Sequence, residues 1–277
     1  MKGILCKAKM ICVLLFISYS LITAQTFNMQ SIPTDNLELG FGFNKAFYSG
    51  GPEFSTFSGS YDFSVNIPLS NSLNLSGNIP LIVTKYDFGY QGNNKYDKNG
   101  LGNIYIGLQT KPDSSGVKKS FFSFGVFLPT ADEQVSFNGL YNDYYHLLKF
   151  VPNIVGLYGN YSLHHIGEEG FIYGLEAGPN IFIPTEGNGD TEIFVHYGFT
   201  AGYKLSKVSL KAEFIGFAII TEDADNLSDR MINMFNLGLH YQGSVVSPSL
   251  FYKLYLKDAL NNNIDGVLGL GVTVSIN

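Results

Sequence analysis

The sequence predicts an all-β protein, a transmembrane antiparallel up-and-down β-barrel of about twelve strands. Three observations support this prediction. Apolar and polar side chains alternate along nearly the whole chain after residue 36. Most of the alternating segments reach the ~9 to 11 residues that a tilted strand needs to cross a bilayer. The connections between them are alternately short and long, which is the pattern of bacterial outer-membrane barrels.

The first residues have the pattern of a secretory signal peptide. Lysines at positions 2, 7 and 9 precede an uncharged run from residue 10 to residue 22, and Ala24 is a small residue of the kind found before a cleavage site. We therefore expect residues 1–24 to be removed, residues 25–36 to form a short periplasmic segment and residues 37–277 to form the barrel. A membrane anchor is the alternative interpretation of the first segment.

The composition excludes several other classes of protein. Hydrophobic residues make up 45% of the 277 and charged residues 14%, which is not the composition of a disordered chain or a coiled coil. The formal net charge is −6 and no basic tract is present, so we expect no nucleic-acid partner. Both cysteines, Cys6 and Cys12, lie in the expected signal peptide. The exported chain would therefore have no disulfide, thiolate metal site or lipid anchor.

Each predicted strand has one apolar and one polar face. In the second strand, Phe63, Val65 and Ile67 share one face, while Asp62 and Ser64 share the other. This follows because successive side chains of an extended chain point to opposite sides. The predicted strands are residues 37–48, 56–69, 73–86, 101–111, 120–130, 149–163, 170–183, 192–205, 208–220, 231–241, 246–257 and 266–277.

The connections place the two chain ends on one side of the membrane. Short links at residues 70–72, 206–207 and 242–245 alternate with longer polar links. The longer links are residues 87–100, 131–148 and 221–230. In bacterial outer-membrane barrels the short turns are periplasmic and the long loops are external. We therefore expect both ends of the chain in the periplasm.

A membrane barrel is preferred over a soluble one because of where the apolar residues lie. Beyond the N-terminus no run approaches the ~18 apolar residues of a spanning helix, and a closed sheet is the other structure that pairs all its backbone groups in hydrocarbon. A β-sandwich or lipocalin-like soluble barrel remains the alternative. We expect bulges or kinks where a proline deletes a ladder hydrogen bond within a predicted strand. These prolines are Pro80, Pro152, Pro179 and Pro248.

Part of the chain resembles a known family. Residues 99–111 (NGLGNIYIGLQTK) and 121–132 (FFSFGVFLPTAD) are similar to the signature strand pair of the transporter-like barrels labelled "MetA-pathway of phenol degradation". Residues 69–80 (LSNSLNLSGNIP) resemble the preceding hairpin of that family. The chain departs from the pattern at Asn103, where Asp is usual, and at Ala131, where Gly is expected. The resemblance implies an outer-membrane channel or transporter for small hydrophobic or aromatic compounds.

The polar face of the predicted barrel supplies candidates for the lining of a lumen. The charged and polar candidates are Asp62, Glu176, His196, Lys211, Glu213, His240 and Lys253, and the aromatic candidates include Tyr105 and Phe194. The charged groups would either select solutes in a narrow pore or pair with one another across strands. The aromatic residues would either favour stacking or apolar solutes or fill a small barrel.

Other chemistry finds less support in the sequence. None of the five histidines has Ser at the second following position, the arrangement of outer-membrane phospholipases. The acidic stretch 222–229 departs from the EF-hand pattern, so we expect a solvated loop, no metal and no cofactor.

The function predicted is a channel or transporter for small solutes, not an enzyme. It would lie in the outer membrane of a Gram-negative cell, with the bilayer and the assembly machinery as partners. A structural or adhesion barrel is the alternative, and a lipid hydrolase is the weaker one.

Overall fold

In the described part of the chain, fourteen strands form one antiparallel sheet that closes on itself. The computed structural model describes residues 26–49, 53–87, 95–112, 116–187, 189–221 and 227–276. The expected signal peptide and most of the acidic stretch 222–229 lie outside the described residues. The strands are β1 Leu37–Tyr48, β2 Glu53–Phe54, β3 Gly59–Pro68, β4 Leu73–Asp87, β5 Lys95–Leu101, β6 Tyr105–Thr110, β7 Lys118–Phe127, β8 Ile154–His165, β9 Gly170–Pro184, β10 Glu192–Leu205, β11 Val208–Ile219, β12 Met231–Tyr241, β13 Val246–Tyr255 and β14 Ile264–Ile276.

The first and last strands close the barrel. β1 pairs with β14 along one edge and with β3 along the other. β2 continues the position of β3 beside β4, and β5 and β6 together fill the position on the other side of β4. The ring therefore has twelve strand positions, which confirms the predicted antiparallel up-and-down barrel. Among the described residues every strand is paired on both edges except the short β2 and β5, each of which pairs with β4 alone.

The barrel carries its apolar side chains on the outside. Along β14, Leu270 and Val272 are exposed, and along β1 Leu39 and Phe41 are exposed in the same way. Many polar and charged side chains of the other strands are buried inside, and Lys253 of β13, for example, has no exposed surface. This distribution is the reverse of that in a soluble protein, where buried charges are rare. It therefore argues against the soluble-barrel alternative.

Several strand boundaries differ from the predicted ones for identifiable reasons. β5, Lys95–Leu101, was expected to be part of a long loop, but it pairs with the far end of β4, and the rings of Tyr86 and Tyr96 stack 5.0 Å apart. β8 begins at Ile154 and not at residue 149. Lys149 belongs instead to the preceding loop, where its Nζ lies 2.8 Å from Asp62 Oδ1.

The prolines lie where a strand has no ladder hydrogen bond to lose. Pro80 faces the break between β5 and β6, and Gly102 N donates to its carbonyl at 2.8 Å. Pro152 precedes β8 and is in no strand. The β8–β9 ladder is interrupted beside Pro179, and Pro248 lies beyond the last residue pair of the β12–β13 ladder. The expected irregularities therefore appear as gaps in pairing.

The long link between β7 and β8 folds into the barrel instead of remaining an external polar loop. It contains α1, Glu133–Asn142, and a 3₁₀ helix, Tyr144–Lys149. Asp132 caps α1 by accepting a hydrogen bond from Gln134 N. We call residues 128–153 the inserted loop. Two further helical turns, α2 Leu227–Arg230 and α3 Asp258–Asn261, lie in other links of the same end. No helix in the described part of the chain is long and apolar enough to span a membrane.

Candidate solute passage

Residues 26–36, the N-terminal segment, run through the interior of the barrel. Phe27 N and Asn28 N donate to the two carboxylate oxygens of Glu213 at 2.7 and 3.1 Å. Gln30 N donates to Glu176 Oε2 at 2.8 Å. We expected this segment to lie in the periplasm, but residues 27–30 lie inside the barrel. There two carboxylates of the barrel wall accept hydrogen bonds from backbone N–H groups that water would otherwise bind.

The inserted loop meets the N-terminal segment inside the barrel. Tyr145 OH donates to Glu176 Oε1 at 2.7 Å, so the same carboxylate binds both segments. His146 Nε2 lies 3.0 Å from the carbonyl oxygen of Asn28. Leu147 and Leu148 are buried in the main apolar cluster of the interior. The two segments and the wall from β7 to β13 therefore form one packed body.

A network of charges holds the tip of the inserted loop. Asp143 Oδ1 lies 2.9 Å from Lys253 Nζ, and its Oδ2 lies 3.6 Å from Lys149 Nζ and 2.7 Å from His146 Nδ1. Lys149 also pairs with Asp62 at 2.8 Å. Burial alone would raise the pKa of Asp143, but the charges of His146, Lys253 and Lys149 outweigh it and hold the pKa well below its ordinary value.

The remaining polar candidates are also buried in the interior. His196 donates through Nε2 to Asn160 Oδ1 at 3.1 Å and accepts from Asn180 Nδ2 at 3.1 Å, which fixes its tautomer. Lys211 on β11 and His240 on β12 are both about 2% exposed. These groups therefore lie inside the barrel on the three neighbouring strands β10, β11 and β12.

The two aromatic candidates have different surroundings. Phe194 packs on Phe182, with ring centroids 4.5 Å apart, and on Phe217 at 5.8 Å, within the apolar cluster under the inserted loop. Tyr105 packs on Phe127 at 4.8 Å but also lines a cavity. Most of the aromatic interior is therefore filled by protein, and Tyr105 is the candidate of the two that borders open space.

The open space lies along the opposite wall. We call the inward residues there the small-residue wall. It comprises Glu38, Gly40, Gly42 and Asn44 of β1, Asp62, Ser64 and Asn66 of β3, Ser76 and Asn78 of β4, and Gly271 and Thr273 of β14. The register aligns them, because Gly40 pairs with both Ser64 and Thr273. Short side chains leave space between this wall and the N-terminal segment.

Two adjoining cavities occupy that space. One, of about 280 Å³, reaches Glu38, and the other, of about 210 Å³, reaches Asn44. Both are bordered by Gly40, Ser64 and Lys149. Because a strand rises about 3.3 Å per residue, the six steps from Glu38 to Asn44 correspond to about 20 Å along β1. The two cavities therefore lie next to each other along β1, beside the N-terminal segment.

Sequence analysis missed the residues that position the inserted loop. Asn103 is fully buried, and its Oδ1 accepts from Thr130 N and Ala131 N at 3.0 and 2.9 Å. Its Nδ2 donates to the carbonyls of Leu148 and Val151 at 2.8 and 2.7 Å. The side-chain amide of Asn103 is therefore hydrogen-bonded to both ends of the inserted loop. An Asp, which the family resemblance led us to expect here, is acceptor-only when ionised and could not make the second pair of bonds.

The described residues contain no group of three or more His, Cys, Asp or Glu side chains arranged to hold a metal ion. The buried acidic and histidine side chains are instead spread along the barrel interior. Asp143 and Glu213, for example, bind cationic side chains and backbone N–H groups respectively.

Comparison with known proteins supports the architecture. No protein-family model matches the chain, and no curated protein matches it either. Among solved structures, the chain is similar to the COG4313 outer membrane channel from Pseudomonas putida F1, with a TM-score of 0.62, 10% identity, and coverage of 92% of this chain and 100% of that one. The KdgM porin gives a TM-score of 0.51 at 8% identity, covering 87% and 99%. The NanC porin gives 0.51 at 9% identity with the same coverage. At these identities the likeness establishes the fold.

Proposed function

We propose that the protein is a channel of the Gram-negative outer membrane that passes small solutes along the small-residue wall. In this proposal residues 1–24 direct export, the outer-membrane assembly machinery inserts the barrel, and the bilayer surrounds its apolar face. The role is passage of solutes and not catalysis. The similar solved structures, an outer membrane channel and two porins by their names, agree with such a role.

The observation that carries the proposal is the pair of adjoining cavities, bordered on one side by small and polar side chains, inside a barrel that is apolar outside. The exposed Leu270 and Phe41 suit hydrocarbon, which offers no partner to backbone or polar groups. The cavities are bordered by Ser64, Asn78 and Thr273, whose small polar side chains suit water and dissolved molecules. A path along these cavities is what the passage of a small dissolved molecule would require.

A structural or adhesion barrel is the second candidate. It is favoured by one observation, namely that the N-terminal segment and the inserted loop fill the side of the interior that contains Glu176, Glu213 and Phe194. In this case the cavities would be too constricted to conduct ions or solutes.

The lipid-hydrolase alternative would need a Ser, a His and a carboxylate or carboxamide placed together on the outer face.

Ion conductance through planar bilayers distinguishes the two candidates. We expect the full mature chain to give discrete single-channel steps in KCl. Ser64→Phe, which puts a ring into the path, should lower the step size several-fold. The matched control is Phe63→Leu, one residue away on the outward face, which should leave the steps unchanged. A silent wild-type protein would favour the structural barrel, whereas equal steps in wild type and Ser64→Phe would refute the proposed path.

A further inference from the structure

We infer that Glu38 makes the channel select small cations over anions of similar size. This inference rests on the proposed channel function and names the charge of the solutes that the channel would prefer, which the sequence resemblance does not specify. The preferred solutes would include inorganic cations and small protonated amines. Three features of Glu38 support the inference, namely its position in the barrel, its uncharged neighbours and its distance from the other interior charges.

Glu38 borders the larger cavity from the inward face of β1. Successive side chains of a strand point to opposite sides, and the adjacent Leu39 is 44% exposed on the outward face. Glu38 is half-buried and lines the cavity of about 280 Å³. The accessible part of its side chain therefore lies on the inside of the barrel, where dissolved solutes would pass.

The neighbours of Glu38 carry no charge that could neutralise it. On the adjacent strands Glu38 pairs with Ser275 of β14 and Asn66 of β3, and Ser275 Oγ donates to its carboxylate at 3.4 Å. A third neighbour, Thr34, belongs to the N-terminal segment. In the described part of the chain no lysine, arginine or histidine forms an ion pair with Glu38. These neighbours can therefore hydrogen-bond the carboxylate but cannot balance its charge.

The other two carboxylates that border the cavities have cationic partners. Asp62 pairs with Lys149 at 2.8 Å, and Asp143 pairs with Lys253 at 2.9 Å. Each pair contains one charge of each sign, so neither adds a net charge to the border. Among the described residues that line the cavities, Glu38 is thus the carboxylate whose charge is not balanced.

Distance separates Glu38 from these balanced pairs. The ladder between β1 and β3 places Asp62 opposite residue 42, four positions along β1 from Glu38. At about 3.3 Å per residue, the Asp62–Lys149 pair lies about 13 Å along the strand from Glu38. This exceeds the screening length of about 8 Å in 0.15 M salt. Lys149 therefore does not cancel the field of Glu38 in the part of the cavity next to Glu38.

His146 also borders both cavities, and a charge on its ring would be positive. Its Nδ1 lies 2.7 Å from Asp143 Oδ2, so such a charge would lie beside Asp143 and not beside Glu38. Recordings at pH 8 are above the ordinary pKa values of glutamate and histidine side chains, about 4.3 and about 6.5. We therefore choose pH 8 for the test.

Confinement strengthens the effect of a single carboxylate. A volume of about 280 Å³ corresponds to a sphere about 8 Å across, which is close to the screening length in 0.15 M salt. Every ion in the cavity would therefore experience the charge of Glu38. Low-dielectric walls focus such a field and raise the local concentration of counter-ions. Acidic side chains select cations in this way in other channels.

Reversal potentials in planar bilayers test the inference. For the full mature chain in a KCl gradient at pH 8, we expect K⁺ to be at least about threefold more permeant than Cl⁻. A gradient of ethanolammonium glycolate extends the test to small organic ions of similar size and opposite charge, and it should give the same sign. Glu38→Gln keeps the size of the side chain but removes its charge, so the permeability ratio should fall to about one.

Three further variants test whether the charge at this position is responsible. Glu38→Asp keeps the charge and should retain the cation preference, whereas Glu38→Lys should reverse it. The matched control is Glu169→Gln, which removes an exposed carboxylate from the turn between β8 and β9, outside the lining of both cavities. This control should have the permeability ratio of the wild type. Heat-modifiable migration on a gel checks that each variant folds.

The outcomes separate the inference from the proposed channel. A conducting wild-type protein with a permeability ratio near one, or an unchanged ratio in Glu38→Gln, would overturn the inference and leave the channel intact. Equal effects of Glu38→Gln and Glu169→Gln would also overturn it, because the selectivity would then arise from surface charge in general. A silent wild-type protein would refute the channel and, with it, the inference.

Discussion

Buried carboxylates in this barrel bind protein groups. Glu213 accepts hydrogen bonds from two backbone N–H groups of the N-terminal segment. Glu176 accepts one from a third backbone N–H group and one from the hydroxyl of Tyr145. Asp143 binds the buried ammonium of Lys253. The sequence allowed either a selectivity lining or mutually satisfied groups for these positions. At the residue scale the contacts favour satisfied groups on the filled side, and they leave Asp62 with Lys149 as the pair that borders the cavities.

Replacing Asp143 with Asn should destabilise the protein by about 3 kcal/mol, because it leaves the Lys253 ammonium buried without its carboxylate. Lys253 has no exposed surface, so water cannot take the place of Asp143. Urea unfolding of the barrel in lipid vesicles measures the difference. The control is Asp97→Asn, which breaks an exposed pair with Lys85 and should cost less than about 1 kcal/mol. Equal losses for the two variants would contradict the role of the buried network.

The same variant has a defined pH dependence. The pKa of Asp143 lies well below its usual 3.8, so the ionised group stabilises the folded state above that value. The contribution is lost as the pH falls through the lower, folded-state pKa. The stability difference between wild type and Asp143→Asn should therefore be present above the ordinary pKa of Asp and should shrink in stronger acid. A difference that already declines near neutral pH would mean that another group dominates.

At the element scale, the N-terminal segment occupies the interior without being part of the barrel wall. β1 begins at Leu37, and the contacts of residues 26–31 are with inward side chains and with the inserted loop. The ring of Phe27 stacks on Phe251, with centroids 5.2 Å apart. The segment therefore reduces the cross-section of the lumen, while the closed set of strand pairs does not depend on it.

Deleting residues 26–31 should raise single-channel conductance several-fold while the barrel still folds. The physical reason is that the deletion joins the two cavities to the volume now filled by the segment. Conductance in planar bilayers and heat-modifiable migration on a gel measure the two properties. Replacing the same six residues with a Gly-Ser sequence keeps the length, so it shows whether the specific contacts with Glu176 and Glu213 hold the segment in place. Unchanged conductance after deletion would show that the segment does not limit the path.

At the scale of the whole molecule, the distribution of apolar surface determines where the barrel can reside. Leu270→Arg puts a charge on the outward face and should cost about 2 to 4 kcal/mol at the bilayer midplane. Ser64→Arg puts the same charge into the polar path and should cost far less. Folding equilibria in lipid vesicles measure both. Equal costs would contradict the assignment of the two faces.

Much of the wall could be predicted from the sequence. The predicted bounds of β1, β10 and β12 agree with the structure residue for residue, because period-two alternation over a long segment allows few alternatives. The predictions were less accurate where the alternation breaks. The strand pair β5 and β6 and the start of β8 depend on the inserted loop, whose docking through Asn103 and Lys149 leaves no periodic signal.

The sequence by itself determined the closed barrel, its twelve strand positions and which face of each predicted strand points inward. These follow from local alternation, since each residue's side is set by its neighbours in the chain. Only the tertiary structure decided what fills the interior and where a path remains. Glu213 and Phe27 are 186 positions apart, and Lys253 and Asp143 are 110 positions apart. Contacts of that kind arise from closure of the sheet and from folding of two segments into it, and no short stretch of sequence specifies them.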